Sequence, residues 1–301
     1  MPAVFPERSS RVVRGDVTIG VRDLGGDGPP LLLLHGLAGS SRELLPTARE
    51  LTDRFRAILM DQRGHGESTR RPADLSRQAF VDDVVAVLDE VAPGERCVLV
   101  GQSMGAHTAF LVAARRPDLV ERLVMLEGHV AGNDDPGEAA MLGRYFASWP
   151  VPFPNEAAAR EFLGDDAIVD AWVADLEQGP DGLRPRFDAD VMERTITAVH
   201  EPRWAEWAAL EVPTLTVFAK DSMFSAEDRG ELIRRRPGVD RVDLARGSHD
   251  AHLDAFPEWI AVLRYWLRGD VSDLFLGAAD PDWADDRELL DGAVRDPWAA
   301  E

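Results

Sequence analysis

The chain has 301 residues, 45% of them hydrophobic and 29% charged, which supports a sizeable packed core and excludes wholesale disorder. Its formal net charge of −21 repels phosphate backbones and anionic bilayers, so neither nucleic acid nor a membrane is an expected partner. A lone cysteine, Cys97, excludes a disulfide framework and a cysteine-based zinc cluster. No apolar run approaches the roughly 20 residues that cross a bilayer, and the opening MPAVFPERSS has no apolar signal core. The expectation is a soluble, cytoplasmic protein.

In chain order, short β-branched or leucine-rich runs alternate with helix-period segments, the pattern of βαβ units on a parallel sheet. Strands are predicted at Arg11–Arg14, Val17–Asp23, Leu31–Leu34, Phe55–Met60, Arg96–Val100 and Arg122–Glu127. Helices are predicted at Ser41–Asp53, Arg77–Val91 and Ser103–Arg116. In the second of these, Phe80, Val84, Val87, Leu88 and Val91 form one stripe, with Asp82, Asp83 and Asp89 on the opposite face. After Gly128 the pattern changes. Prolines 150, 152 and 154 interrupt a stretch of helical segments that holds Trp172, Trp204 and Trp207, and no strand stands out there. Alternation resumes with strands at Pro213–Phe218 and Asp240–Leu244 and helices at Ser225–Arg236 and His252–Leu267. Residues 1–127 and 212–269 therefore read as one α/β core, 128–211 as an inserted all-helical cap, and 270–301 as an acidic C-terminal extension that Leu274, Phe275 and Leu276 could dock.

Three loops at predicted strand exits carry the chemistry, and ligand sites in open α/β sheets lie at those ends. Gly101-Gln102-Ser103-Met104-Gly105 follows the strand RCVLV and opens a helix. A serine on so tight a turn needs small residues two positions either side, and the turn lifts its hydroxyl above the sheet over the positive end of the helix. Leu31–Leu34 runs into His35-Gly36-Leu37-Ala38-Gly39-Ser40, a turn whose Leu37 N–H, with that of Met104, would hold an oxyanion worth about 3 kcal/mol per donor. His35 reads as a structural hydrogen-bonding residue of that turn. Gly247-Ser248-His249-Asp250-Ala251-His252 follows the last strand, and His249 is the expected base, with His252 ranked second. His65, within Asp61–Ser68, reads as scaffold, and His107 points into the face of the helix after the serine.

In the order and approximate spacing of these motifs, roughly residues 17–268 resemble the α/β-hydrolase family. The resemblance implies an eight-stranded, mostly parallel sheet, a helical cap after the sixth strand, and a Ser–His–acid triad that needs no cofactor and no metal. It also implies oxyanion donors at the residue after the nucleophile and the residue after His-Gly, here Met104 and Leu37. The family usually carries its acid after the seventh strand, three residues past a glycine. Here PTLTVFAKDSMF has Ala219 for the glycine and Ser222 at the expected place, with Asp221 one residue early. Some relatives place the acid after the sixth strand, where this chain has Glu127. Glu127 is preferred because a one-residue slip in an extended strand turns the Asp221 carboxylate to the wrong face, but both stand as candidates.

The expected activity is hydrolysis of a small carboxylic ester, lactone or thioester through an acyl-enzyme. Serine at 103 separates the chain from relatives that need aspartate there. Cleavage of a C–C bond beside a carbonyl, perhydrolysis, or slow-turnover ligand reception on the same scaffold are the alternatives. The expected partner is a small-molecule acyl substrate, and the sequence does not choose between monomer and homodimer. His35, Gly36 and Gln102 are candidate pocket residues, together with cap aromatics Trp149, Phe153, Trp172, Trp204 and Trp207.

Overall fold

The computed structural model describes residues 6–133 and 135–268. The acidic extension expected at 270–301, with Leu274, Phe275 and Leu276, lies outside the described residues.

Eight strands form one sheet: β1 (Arg8–Arg14), β2 (Val17–Asp23), β3 (Pro30–Leu34), β4 (Arg56–Met60), β5 (Cys97–Gln102), β6 (Val120–Leu126), β9 (Thr214–Phe218) and β10 (Asp240–Asp243), in spatial order β1-β2-β4-β3-β5-β6-β9-β10. β1 pairs antiparallel with β2 and β2 with β4, and every later pairing is parallel. The parallel strands are apolar on both faces because helices cover both. In β3, Leu32 and Leu34 face α2 (Arg77–Val91) and α3 (Met104–Arg115), whereas Leu31 and Leu33 face α1 (Leu45–Arg49) and α11 (Phe256–Leu267). That is the two-residue alternation of a strand made visible in four consecutive leucines. From β3 the chain steps outward one way to β4 and the other way to β5, so the exits of β3 and β5 flank the point where an open sheet offers a crevice.

The predicted strands and the helix at 77–91 fall where the periodicity puts them, and three local expectations change. Ser41–Asp53 is a 3₁₀ turn over Ser41–Leu44 followed by α1 alone, with Pro46 in its first turn. The last helix is split into α10 (Ala251–Asp254) and α11, because Pro257 is tolerated only at a helix start. Asp83 is not on a solvent face: it is 1% exposed and accepts from Arg63 Nε at 2.6 Å and Nη2 at 2.7 Å, and from Arg14 Nε at 2.7 Å. Its helix position turns it toward two arginines rather than water.

Between β6 and β9 lie α4 (Pro136–Ala147), α5 (Glu156–Leu163), α6 (Ala167–Asp175), α7 (Ala189–Val199) and α8 (Trp204–Ala209). The expectation of helices alone needs one correction, since β7 (Glu177–Gly179) and β8 (Gly182–Arg184) form a hairpin. Its turn uses Gly182 at φ 140°, and a Cβ there would strike the Phe153 carbonyl. Three-residue strands carry too little alternation to be read from sequence. Phe146, Trp149, Phe153, Val173 and Phe187 form an apolar cluster that joins these helices to Phe80 and Met104 of the core.

Candidate active site

Ser103 stands between β5 and α3 at φ 52°, in the left-handed region. The turn closes so tightly that a Cβ on Gly101 would run into the Gly105 carbonyl, and one on Gly105 into the Leu34 carbonyl. Glycine is therefore required on both sides by contact. Only three non-glycine residues among those described have positive φ: Ser103, Ala38 at 59° and Glu127 at 48°. They sit at the exits of β5, β3 and β6. Backbone held in such sparsely populated conformations concentrates where a fold positions reactive groups.

His249 comes from the loop before α10 and points its Nε2 at Ser103 Oγ, 2.9 Å away. Its Nδ1 lies 3.2 Å from Glu127 Oε2. With a carboxylate on Nδ1, that nitrogen carries the proton and Nε2 is left as acceptor for the serine hydroxyl. Glu127 is fully buried, and its carboxylate also accepts from the Ala219 N–H at 2.7 Å and the Ser222 hydroxyl at 3.0 Å. Three donors on one carboxylate are what makes a buried negative charge tolerable. Gln102 Nε2 donates to the His249 carbonyl at 2.9 Å, which ties the imidazole loop to the serine turn.

Asp221 is not part of this group. Its backbone N–H donates to the Gly247 carbonyl at 3.0 Å and the residue is exposed on the turn after β9. Ser222, the next residue, instead donates to the Glu127 carboxylate from the neighbouring strand. The extended reach of a glutamate side chain lets β6 deliver a carboxylate where β9 would otherwise do so.

The turn after β3 is built from beneath. His35 is fully buried; its Nδ1 donates to the Gly36 carbonyl at 2.8 Å while Nε2 accepts from the Gln62 N–H at 2.9 Å. Both nitrogens are thus used, and burial pulls its pKa down, so His35 is a neutral strut and does not line the cavity. Glu43 packs under the same turn and accepts from the Gly36 N–H at 3.3 Å. Burial, reinforced by the Asp250 charge, pushes its carboxyl well up. Leu37 and Met104 both border the cavity. Met104 is the first residue of α3, so its N–H lies outside the helical ladder.

The cavity above Ser103 has a volume of about 330 Å³, at the small end of the roughly 300–1,000 Å³ usual for ligand sites. Gly36, Gln102, Glu127 and His249 line its floor, and Tyr145, Phe146, Trp172 and Val199 line it from the cap. Of the predicted aromatics only Trp172 is among the lining residues. Trp207 is fully buried among the helices under the sheet, its Nε1 donating to the Leu232 carbonyl at 2.9 Å and its ring edge-on to Phe110. Trp204 packs beside His129 and under the Arg235 guanidinium. Trp149 and Phe153 are buried in the aromatic cluster of the cap. The physical reason is shared: α8 packs on α3 and belongs to the core layer, and the others fill the interior of the cap.

Comparison with known proteins shows the family. The family described as the alpha/beta hydrolase fold matches residues 29–256. The chain belongs to that family. It is 30% identical over 262 residues, 80% of this chain and 88% of the other, to the 2-(acetamidomethylene)succinate hydrolase of Mesorhizobium japonicum. It is 37% identical over 267 residues, 84% of this chain and 83% of the other, to an sn-1-specific diacylglycerol lipase of Danio rerio. A crystal structure of an E-2-(acetamidomethylene)succinate hydrolase superposes with a TM-score of 0.79 at 25% identity, covering 87% of this chain and all of the other.

Two further histidines of this alpha/beta hydrolase, His65 and His252, are not among the cavity-lining residues. His65 is buried, with its Nδ1 3.0 Å from the Arg63 carbonyl, and burial drops its pKa to about 3. His252, ranked second as base, is buried 3.8 Å from Glu43 and likewise falls to about 3. The sequence reading missed the Ala219 N–H and the Ser222 hydroxyl as donors to Glu127; the position of Ser222 was the available signal. It also missed Glu138, His200, Tyr145 and Val199 as lining residues, for which no local motif exists. Among the described residues no helix is long and apolar enough to cross a membrane.

Proposed function

We propose that this alpha/beta hydrolase cleaves a small carboxylic ester, lactone or thioester through an acyl-enzyme on Ser103. The observation that carries the reading is the continuous line from Ser103 Oγ to His249 Nε2 at 2.9 Å and from His249 Nδ1 to Glu127 Oε2 at 3.2 Å, beneath an accessible cavity. In the first half-reaction Ser103 Oγ bonds to the substrate carbonyl carbon while His249 Nε2 takes the hydroxyl proton. The carbonyl oxygen becomes an oxyanion within reach of the Leu37 and Met104 N–H groups. Collapse breaks the bond to the leaving alcohol or thiol, which receives the proton from His249. Water then attacks the acyl-enzyme, gives its proton to His249, and releases the acid and Ser103. Glu127 keeps its charge throughout and steadies the imidazolium. Its donors Ala219 and Ser222 hold it on the Nδ1 side.

A fluorophosphonate probe tests the reading together with a panel of p-nitrophenyl esters and lactones. Labelling is expected at Ser103 with measurable ester turnover, and Ser103→Ala is expected to remove both, lowering kcat by about 10⁴-fold or more. Labelling without turnover of any ester or lactone overturns it.

A further inference from the structure

The wall of the cavity over Ser103 holds no fixed cation. No arginine or lysine lines it among the described residues, although the chain has 33 basic residues. Its cap side is apolar, with Leu142, Phe146, Ile168 and Ile196. Its carboxylates are Glu43, Glu127, Glu138 on α4, and Asp250, whose Oδ1 sits 3.5 Å from Gln102 Nε2; imidazoles, amides and hydroxyls make up the rest of its polar lining. Glu138 Oε2 is buried and takes no hydrogen bond among the described residues. It faces His200 Nε2 at 3.9 Å.

Of the other lining groups able to bear positive charge, His249 faces the Glu127 carboxylate at 3.2 Å. His107 and His129 line the cavity, and burial holds both below the usual imidazole pKa. Any charge on His200 is answered by Glu138. Arg77 and Arg203, whose charges act on His107, do not line the cavity. Arg77 donates to Thr108 Oγ1 and lies 4.3 Å from the Phe80 ring centroid, and Arg203 pairs with Glu201 and Glu206.

We infer, on the basis of the hydrolase reading above, that this cavity accepts an uncharged, apolar acyl group and rejects an acyl chain that ends in a carboxylate. A carboxylate drawn from water into such a wall meets apolar carbon and further carboxylates, with no guanidinium fork or ammonium to receive it. No fixed positive charge among the lining residues offsets its lost hydration. The Mesorhizobium relative is named for a succinate, which carries two carboxylates, so the shared scaffold and the selectivity of this cavity are separate matters. Glu138 is the specificity-determining residue of this inference, because it lines the cavity from α4 with an oxygen that takes no hydrogen bond among the described residues.

A matched pair of substrates tests it: p-nitrophenyl hexanoate and the p-nitrophenyl monoester of adipic acid, which share leaving group and chain length and differ by one terminal carboxylate. The hexanoate is expected to have the higher kcat/KM by on the order of 100-fold at neutral pH. Glu138→Gln is expected to narrow that ratio about tenfold, by raising kcat/KM of the adipate ester more than that of the hexanoate. Equal or faster turnover of the adipate ester overturns the inference. If neither ester is turned over, the hydrolase reading fails, and binding to Ser103→Ala decides the inference alone. Calorimetry is then run with hexanamide and with adipamate, the same amide bearing a terminal carboxylate. Heat with hexanamide and none with adipamate supports it; binding of adipamate, or no binding of hexanamide, overturns it.

Discussion

The strand exits of the sheet and the cap above them are held by different forces. At the exits, polar groups are buried and their geometry is set by short hydrogen bonds: Glu127 alone gathers Ala219, Ser222 and His249. The cap coheres through aromatic packing of Phe146, Trp149, Trp172 and Phe187 and is strapped to the core by arginines. Arg70 reaches across to Asp188, Glu177 and the carbonyls of Pro185 and Phe187, and Arg71 to Asp188 and Asp190. On the proposed reading, chemistry and selectivity are carried by regions with separate sources of order. Substitutions in one should change kcat, and substitutions in the other KM, specificity or stability.

The sharpest way to break that division is at Glu127. Glu127→Gln is expected to lower kcat by about 10⁴-fold, because an amide that offers N–H to His249 imposes the wrong tautomer. Asp221→Asn is expected to leave kcat within about twofold, since its side chain is exposed away from the imidazole. Steady-state kinetics on one ester for both variants compares them, and the reverse pattern would place the acid on β9. On the cap side, Trp149→Ala removes a ring that is 3% exposed. It is expected to lower unfolding stability by about 3–5 kcal/mol in urea titration. Ser222→Ala removes one of the three donors to Glu127 and is expected to cost about tenfold in kcat, from a lost charge-assisted hydrogen bond of about 1.5 kcal/mol, with little change in KM. The smallest stability effect is expected at Arg70. Its side chain is 36% exposed, so water and salt screen its pairs and Arg70→Ala is expected to cost only about 1 kcal/mol, less at high ionic strength.

The same division governs what could be read from residues alone. The sheet was legible because Leu31–Leu34 and Cys97–Val100 are apolar runs ended by glycine turns, and those turns mark Leu37 and Ser103 by position, as Gly247 after the last strand marks His249. The choice between Glu127 and Asp221 was not closed by sequence, because it depends on side-chain reach across two adjacent strands, β6 and β9. The cap was the least legible. Trp204 and Trp207 have helical spacing that fits a lid and a core layer equally well, and only the packing of α8 on α3 separates them. Asp83 lies opposite the apolar stripe of its helix, and partners 20 and 69 positions away in sequence draw it inside.

Delivery of the steering carboxylate from β6 has a consequence for the segment after β9. That segment contributes only an amide and a hydroxyl to the reaction centre, while its Met223 and Phe224 border the cavity mouth. A loop that must aim a charge is confined to one length. If Glu127 is the acid, this one is freed from that duty, and insertions beyond Ser222 can redraw the entrance without detuning the base.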